Sequence, residues 1–152
     1  MIYREATLND AATVSQFVTE LATKHIAPTL TAEGRANLVA GMNVDATRKR
    51  IADGWLHVLQ VAHDRLLGVV VVRPPSHLYH LFVETEHQRT GIGRALFRIA
   101  DERTLCDTGF EIKTVNASLN VVEAYIRLGF DASGDVCEID GIRFQPMVRT
   151  GG

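Results

Sequence analysis

Cysteine is nearly missing from this chain. Cys106 and Cys137 are the two present, and their spacing forms neither a metal-ligand pattern nor a disulfide framework. They read as free thiols of a reducing compartment. Charge of one sign is scarce too: 16 basic against 18 acidic residues leave a net charge of −2. That balance gives no sign of bulk binding of nucleic acid or of an anionic membrane. It still permits a local basic pocket built from Arg89, Arg94 and Arg98. No long hydrophobic run occurs; the longest, Leu66 to Val72, is interrupted by Gly68 and is far too short to span a bilayer. The opening MIYREATLND lacks the basic-then-apolar layout of a secretory signal. Internal repeats, low-complexity segments and a Pro/Gly/Ser linker are also missing. The expectation is a single domain over residues 1–152, cytoplasmic, with no metal, nucleic-acid or membrane partner. Its 46% hydrophobic and 22% charged residues describe an ordinary globule able to bury a core.

The hydropathy pattern alternates between strands and helices. MIYREAT reads as a short strand ending at Thr7. Ala11, Val14, Phe17, Val18 and Leu21 recur at helical spacing, with Asn9 or Asp10 as the cap. After a break at Pro28, Thr31 caps a short helix over 31–42, without the acidic partner of a capping box. Another helix covers 44–54 and closes at Gly54. Trp55–Ala62 and Leu66–Arg73 are strands joined by a hairpin turn through His63, Asp64 and Arg65, and Pro74 and Pro75 end the second. Residues 77–84 form a third strand, 91–108 a helix stopped by Gly109, and 112–117 a strand. A helix over 120–129 and a strand over 142–149 follow, with 131–141 left as a loop. This order implies an α/β arrangement around a mixed sheet.

Between the third strand and its helix stands HQRTGIGRAL, residues 87–96, with Gly91 and Gly93 at the helix entrance. Glycine costs on the order of 1 kcal/mol against alanine inside a helix. The entrance of a helix, however, exposes unpaired N–H groups at the positive end of the peptide dipoles. An anion such as a phosphate sits there if the backbone can come close, and glycine allows that approach. From the segment alone, a pyrophosphate cradle and a plain strand-to-helix turn are both open. The dinucleotide fingerprint fails because Leu96 stands where a small residue is needed. The P-loop fails because no glycine is followed by lysine and a hydroxyl residue.

What remains is Q-x-x-G-x-G, and LFVETEHQRTGIGRALF resembles the acetyl-coenzyme A signature of the GCN5-related N-acetyltransferases. VNASLNVVEAYIRLGF is similar to the fifth strand and following helix of that family, with Y-x-x-L-G-F at Tyr125 to Phe130. TAEGRANLVAG and DGIRFQPMV resemble a bacterial subgroup whose acceptors are often unassigned. The resemblance implies a mixed, mostly antiparallel sheet flanked by helices, with strands four and five splayed apart. It implies acetyl-coenzyme A as co-substrate and a small-molecule or peptide amine as acceptor, with a homodimer as a common assembly. Backbone groups of Leu81, Phe82 and Val83 then pair with the pantetheine arm as a neighbouring strand does. Gln88 opens the motif, and the amides of Arg89, Thr90, Gly91, Ile92, Gly93 and Arg94 surround the pyrophosphate. Asn116, Ser118 and Asn120 are further coenzyme contacts; Ser118 stands where many relatives have asparagine. Ala124 takes a position that is often aromatic or leucine and leaves space near the thioester.

The chemistry sets three requirements. An alkylammonium, with a pKa of about 10.4, must lose a proton to attack. The developing oxyanion needs a donor, for which the Val83 amide is the family's usual choice. The departing thiolate needs a proton unless its own moderate basicity suffices. Tyr125 matches the family's proton donor, with Val121, Val122 and Leu128 on neighbouring helical positions. For the base, His77, Tyr79, Leu81 and Val83 share one face if the strand is regular. His77 and Tyr79 then fall where some members carry two proton-relay histidines, and histidine titrates in the useful range. His80, which a bulge would turn, Glu84, Glu138 and a water chain are the other candidates. A coenzyme-binding sensor that has lost turnover is the competing reading. Residues 24–43 and 131–141 are expected to wall the acceptor site.

Overall fold

The computed structural model describes residues 2–150. Met1, at the start of the first expected strand, and the last two residues of the expected domain lie outside the described residues. In chain order the elements are β1 (Ile2–Glu5), α1 (Ala11–His25), α2 (Ala32–Ala40), α3 (Val44–Ala52), β2 (Leu56–Ala62) and β3 (Arg65–Arg73). There follow β4 (His77–Val83), α4 (Ile92–Thr108), β5 (Thr114–Ala117), α5 (Val122–Arg127), β6 (Phe130–Ala132), β7 (Cys137–Ile139) and β8 (Ile142–Arg149). The sheet order is β1-β2-β3-β4-β5-β8-β6, with β7 on β8. Every pairing is antiparallel except β4 with β5. No helix among the described residues is long and apolar enough to cross a membrane.

Local chemistry explains most boundaries. Thr31 accepts from the Gly34 amide at 3.1 Å and starts α2, and Asn43 accepts from Ala46 at 2.8 Å and starts α3. His63 and Asp64 have φ of 52° and 58°, the positive values a two-residue type I′ hairpin needs. Asp10 precedes α1 but does not cap it with its side chain. Arg4 donates to both carboxylate oxygens at 2.9 Å and the Thr7 amide donates at 2.7 Å, so the carboxyl is spent outside the helix. The segment 131–141, expected as a loop, contains β6 and β7. Each has three residues, too few for alternation to show amid Asp, Ser and Gly.

Alternation along the central strands makes two cores. Val58, Val70, Val72 and Leu78 face α4 and meet Ile92, Leu96, Phe97 and Ala100. Leu59, Val69 and Val71 face the other way and meet Val14, Val18 and Ala22 of α1. The register between β3 and β4 then steps from Val71↔His80 to Val72↔Leu78, leaving Tyr79 as an extra residue. This β-bulge corrects the expectation for His77. A regular strand would put His77 on the face of Leu81 and Val83, but the bulge moves it opposite Arg73, onto the face of His80. A bulge also bends and twists its strand. Pairing of β4 with β5 is confined to His77↔Thr114 and Leu78↔Val115 and stops where the bulge begins. Beyond that point the strands part, as expected, while β5 stays paired with β8 over all four residues.

Candidate active site

The gap between β4 and β5 opens into a cavity of about 350 Å³. His77, Tyr79, His80, Leu81 and Phe82 of β4 line it, with Asn116 of β5, Ser118 and Tyr125 of α5 opposite. Ile26, Leu38 and Met42 close one end; Ile139, Asp140, Ile142, Arg143 and Phe144 of the β7–β8 hairpin close another. The two segments expected as walls of the acceptor site thus both contribute. A larger, shallower cleft of about 450 Å³ lies between α1 and the end of β4. It contains Glu84, paired with Arg65, and none of Tyr125, His77 or the glycine turn. Glu138 pairs with Arg143 at 3.1 Å. Neither glutamate lines the cavity that holds Tyr125.

At the far end of β4 the chain enters α4 through the glycine turn. Arg89 has φ 64° and Gly91, the N-cap, has φ 91°. From Arg89 to Arg94, no backbone N–H has an acceptor among the described residues; the first that does is Ala95, donating to the Gly91 carbonyl at 3.0 Å. Residues 88–91 are exposed. Left-handed residues set among successive unpaired N–H groups, beside a helix entrance, form a concavity for an anion. A Cβ built on Gly91 meets no atom within 4 Å, so the space in front of the turn is open. The residues therefore fit a pyrophosphate. The turn braces itself: Gln88 donates from its side-chain amide to the Val83 carbonyl at 3.1 Å, and the Thr90 hydroxyl donates to the His87 carbonyl. From Tyr79 to Val83, β4 has no partner on its β5 side, which leaves an edge for an extended arm.

Tyr125 is held edge-on to Phe130, with ring centroids 6.0 Å apart. The ring is buried, yet its hydroxyl has no hydrogen-bond partner among the described residues and is not among their sealed, unsatisfied polar atoms. It therefore keeps contact with the cavity. Burial pushes the Tyr125 phenol above its ordinary pKa, so it retains its proton at any working pH. His77 shares a 2.7 Å hydrogen bond between Nδ1 and the Thr114 hydroxyl, which leaves Nε2 free. Desolvation, then the charge of Arg73, lowers its pKa to about 4. His80 is packed between Tyr79 and Phe82, its Nε2 sealed without a partner. Burial, followed by Arg50 and His57, brings it down to about 3. Both rings are neutral at neutral pH.

Asn116 and Ser118 reach the cavity, but Asn120 does not line it; its amide donates to the His25 carbonyl at 2.9 Å and ties the start of α5 to the end of α1. Sequence reasoning passed over three features. Arg50 donates to the Tyr79 hydroxyl at 2.9 Å and lies 4.6 Å from its ring centroid, fixing one wall. Arg73, an exposed residue, lines the cavity. The third is a backbone contact between α2 and the β7–β8 turn: a Cβ on Gly34 would lie 2.0 Å from the Gly141 carbonyl oxygen. Asn37 secures the same junction by donating to the Asp140 carbonyl at 2.8 Å. Helix propensity alone favours Gly34→Ala by about 1 kcal/mol. The clash reverses the sign, because overpacking against a backbone costs about 1–3 kcal/mol. We expect Gly34→Ala to lower Tm by roughly 5 °C in a calorimetric scan. A raised Tm would show that the roof of the cavity does not rest on this contact.

Residues 26–150 match the family model described as an acetyltransferase (GNAT) domain. A GCN5-related N-acetyltransferase from Rhodopseudomonas palustris has a similar fold, with a TM-score of 0.78 at 17% identity over 97% of this chain and 94% of its own. PaiA N-acetyltransferase from Thermoplasma acidophilum, solved with coenzyme A, has a TM-score of 0.75 at 17% identity, covering 97% of each chain. A ribosomal-protein-alanine N-acetyltransferase from Brucella melitensis has a TM-score of 0.68 at 15% identity, over 98% of this chain and 99% of its own. No curated protein matches. The match spans the splayed strands, the amide cradle and the tyrosine alike, and the chain belongs to the GNAT family of acetyl-coenzyme A-dependent N-acetyltransferases.

Proposed function

We propose that this enzyme acetylates a primary amine of a small molecule or peptide bound in the cavity, by direct attack on the thioester. Acetyl-coenzyme A supplies an activated acetyl group when bound. The chain supplies position and protons. Amides of residues 89–94 bind the diphosphate, and the free edge of β4 at Leu81–Val83 aligns the pantetheine arm. The Val83 amide donates to the carbonyl oxygen as it gains charge. As the N–C bond forms and the C–S bond breaks, His77 Nε2 receives the amine proton and Tyr125 gives its proton to sulfur. The observation that carries this reading is the Tyr125 hydroxyl, unpartnered by protein and open to the cavity where β4 and β5 part. Thiol release on mixing the protein with acetyl-coenzyme A and a panel of amines tests it. We place the enzyme in the cytoplasm, in keeping with its two free cysteines.

His77 makes a pH prediction. Its pKa in the folded protein is lowered to about 4, so the ring is already an acceptor at neutral pH and fills with a proton only in acid. At saturating amine, kcat should therefore hold from pH 8 down to about pH 6, where an ordinary histidine would already be half protonated. His77→Gln should lower kcat by about a hundredfold and remove the acidic fall. A profile unchanged by that substitution would move the acceptor role to His80 or to water.

A further inference from the structure

The cavity has an unusual balance of charge for a site that takes amines. Asp140 is the single carboxylate on its walls, and it is exposed at the tip of the β7–β8 turn. Three guanidiniums face or underlie those walls: Arg73 at the end of β3, Arg143 on β8, and Arg50 behind Tyr79. Arg143 is neutralised by Glu138. Arg73 has no ion pair and no hydrogen bond among the described residues, as is true of Arg89, Arg94, Arg98 and Arg127, but of these five it is the one that lines the cavity. The remaining surface is mostly apolar and aromatic.

We infer that the acceptor is an amine with an apolar or aromatic body and one carboxylate, which Arg73 binds, and that polycationic amines are turned away. This rests on the cavity being the acceptor site. Several ammonium groups in a space with one exposed carboxylate and an unpaired arginine would be desolvated without partners, which is costly. A single guanidinium matches the one charge of a carboxylate better than a phosphate monoester, which carries more. A second donor lines the same cavity. The Tyr79 hydroxyl accepts from Arg50, so its own hydrogen is available to the same carboxylate. The volume, about 350 Å³, is at the small end for ligand pockets and is shared with the thioester end of the coenzyme, so it suits a small acceptor of no more than one ring. Arg73 and His77 are register partners across β3 and β4, so a carboxylate on Arg73 sets the rest of the ligand beside the proton acceptor.

Phenylalanine and phenylalaninamide share a shape and differ in this charge; because the amide is also the weaker base, rates are compared per concentration of free amine, and spermidine represents the polycations. In a thiol-release assay, kcat/KM for phenylalanine should exceed that for either of the others by about tenfold or more. Arg73→Gln should raise KM for phenylalanine by about tenfold and leave the KM for phenylalaninamide within about twofold, whatever change in kcat the two share through His77, and Arg73→Lys should recover part of the loss. Arg73 is exposed, so the variants are expected to fold. Equal kcat/KM for phenylalanine and its amide, a preference for spermidine, or a preference that survives Arg73→Gln would each overturn the inference. Calorimetric titration of the coenzyme A-loaded protein with the same amines separates binding from turnover. Arg73-dependent binding of phenylalanine without thiol release would support this inference and overturn the catalytic reading. Thiol release without any preference would do the reverse, and failure of phenylalanine to bind at millimolar concentration would overturn the inference.

Discussion

Gly91→Val is expected to raise the Kd for acetyl-coenzyme A by about a hundredfold while leaving a folded protein. Gly91 is the N-cap of α4 at φ 91° and ψ −2°, left-handed backbone in which a Cβ residue costs about 1–2 kcal/mol. That cost corresponds to a Tm lower by roughly 3–6 °C. The first carbon of the new side chain meets no atom of the protein within 4 Å. What the side chain fills is the space before the unpaired amides. Charge-assisted hydrogen bonds contribute about 1.5–3 kcal/mol each, so displacing a diphosphate from one or two of them gives the stated loss. A control isolates the cause. S-acetylpantetheine carries the thioester without the diphosphate, and its turnover should change by no more than about twofold between wild type and variant. Calorimetry giving one Kd for both proteins would remove the cradle from the mechanism.

The contrast with Gly93 shows how far the sequence could be read. Both glycines stand out in HQRTGIGRAL, and the helix-entrance argument treats them alike. In the structure only Gly91 has a positive φ; Gly93 is an ordinary helical residue with room for a Cβ, 3.6 Å from Val83 Cγ2. The α/β class was legible from periodicity over long segments, whereas the splayed strands and the place of Tyr125 were implied only by the resemblance to a family, which no periodicity shows. The face of His77 was not. It depends on one extra residue in β4, and HLYHLFV alternates too weakly to show where the register slips. The roof of the cavity was hidden for another reason. Gly34 and Gly141 are far apart in the chain and meet backbone to backbone, leaving no side-chain pattern to find. Arg73 ends its strand as an ordinary charge in the sequence, and only the fold puts it on the cavity wall.

Tyr125→Phe is expected to lower kcat by about a hundredfold and to leave the Kd for acetyl-coenzyme A within about twofold. General acid catalysis contributes on the order of 10² to 10⁴ in rate. The lower end applies because a thiol, with a pKa of about 8.5, already leaves with moderate ease. The ring keeps its place in the variant, since its contacts are with the apolar core and edge-on with Phe130. The lost hydroxyl breaks no hydrogen bond to protein, so Tm should move by no more than about 1–2 °C. That combination separates a proton donor from a packing residue, which would change stability and coenzyme affinity together. The raised pKa adds a second test. Because burial keeps the phenol protonated, wild-type kcat should show no fall from tyrosine ionisation up to about pH 10, where a free tyrosine is half ionised. A basic limb near that pH, abolished in Tyr125→Phe, would mean that the phenol is solvated and not sealed against the thioester. Single-turnover rates equal in the two proteins would show that sulfur leaves without this proton.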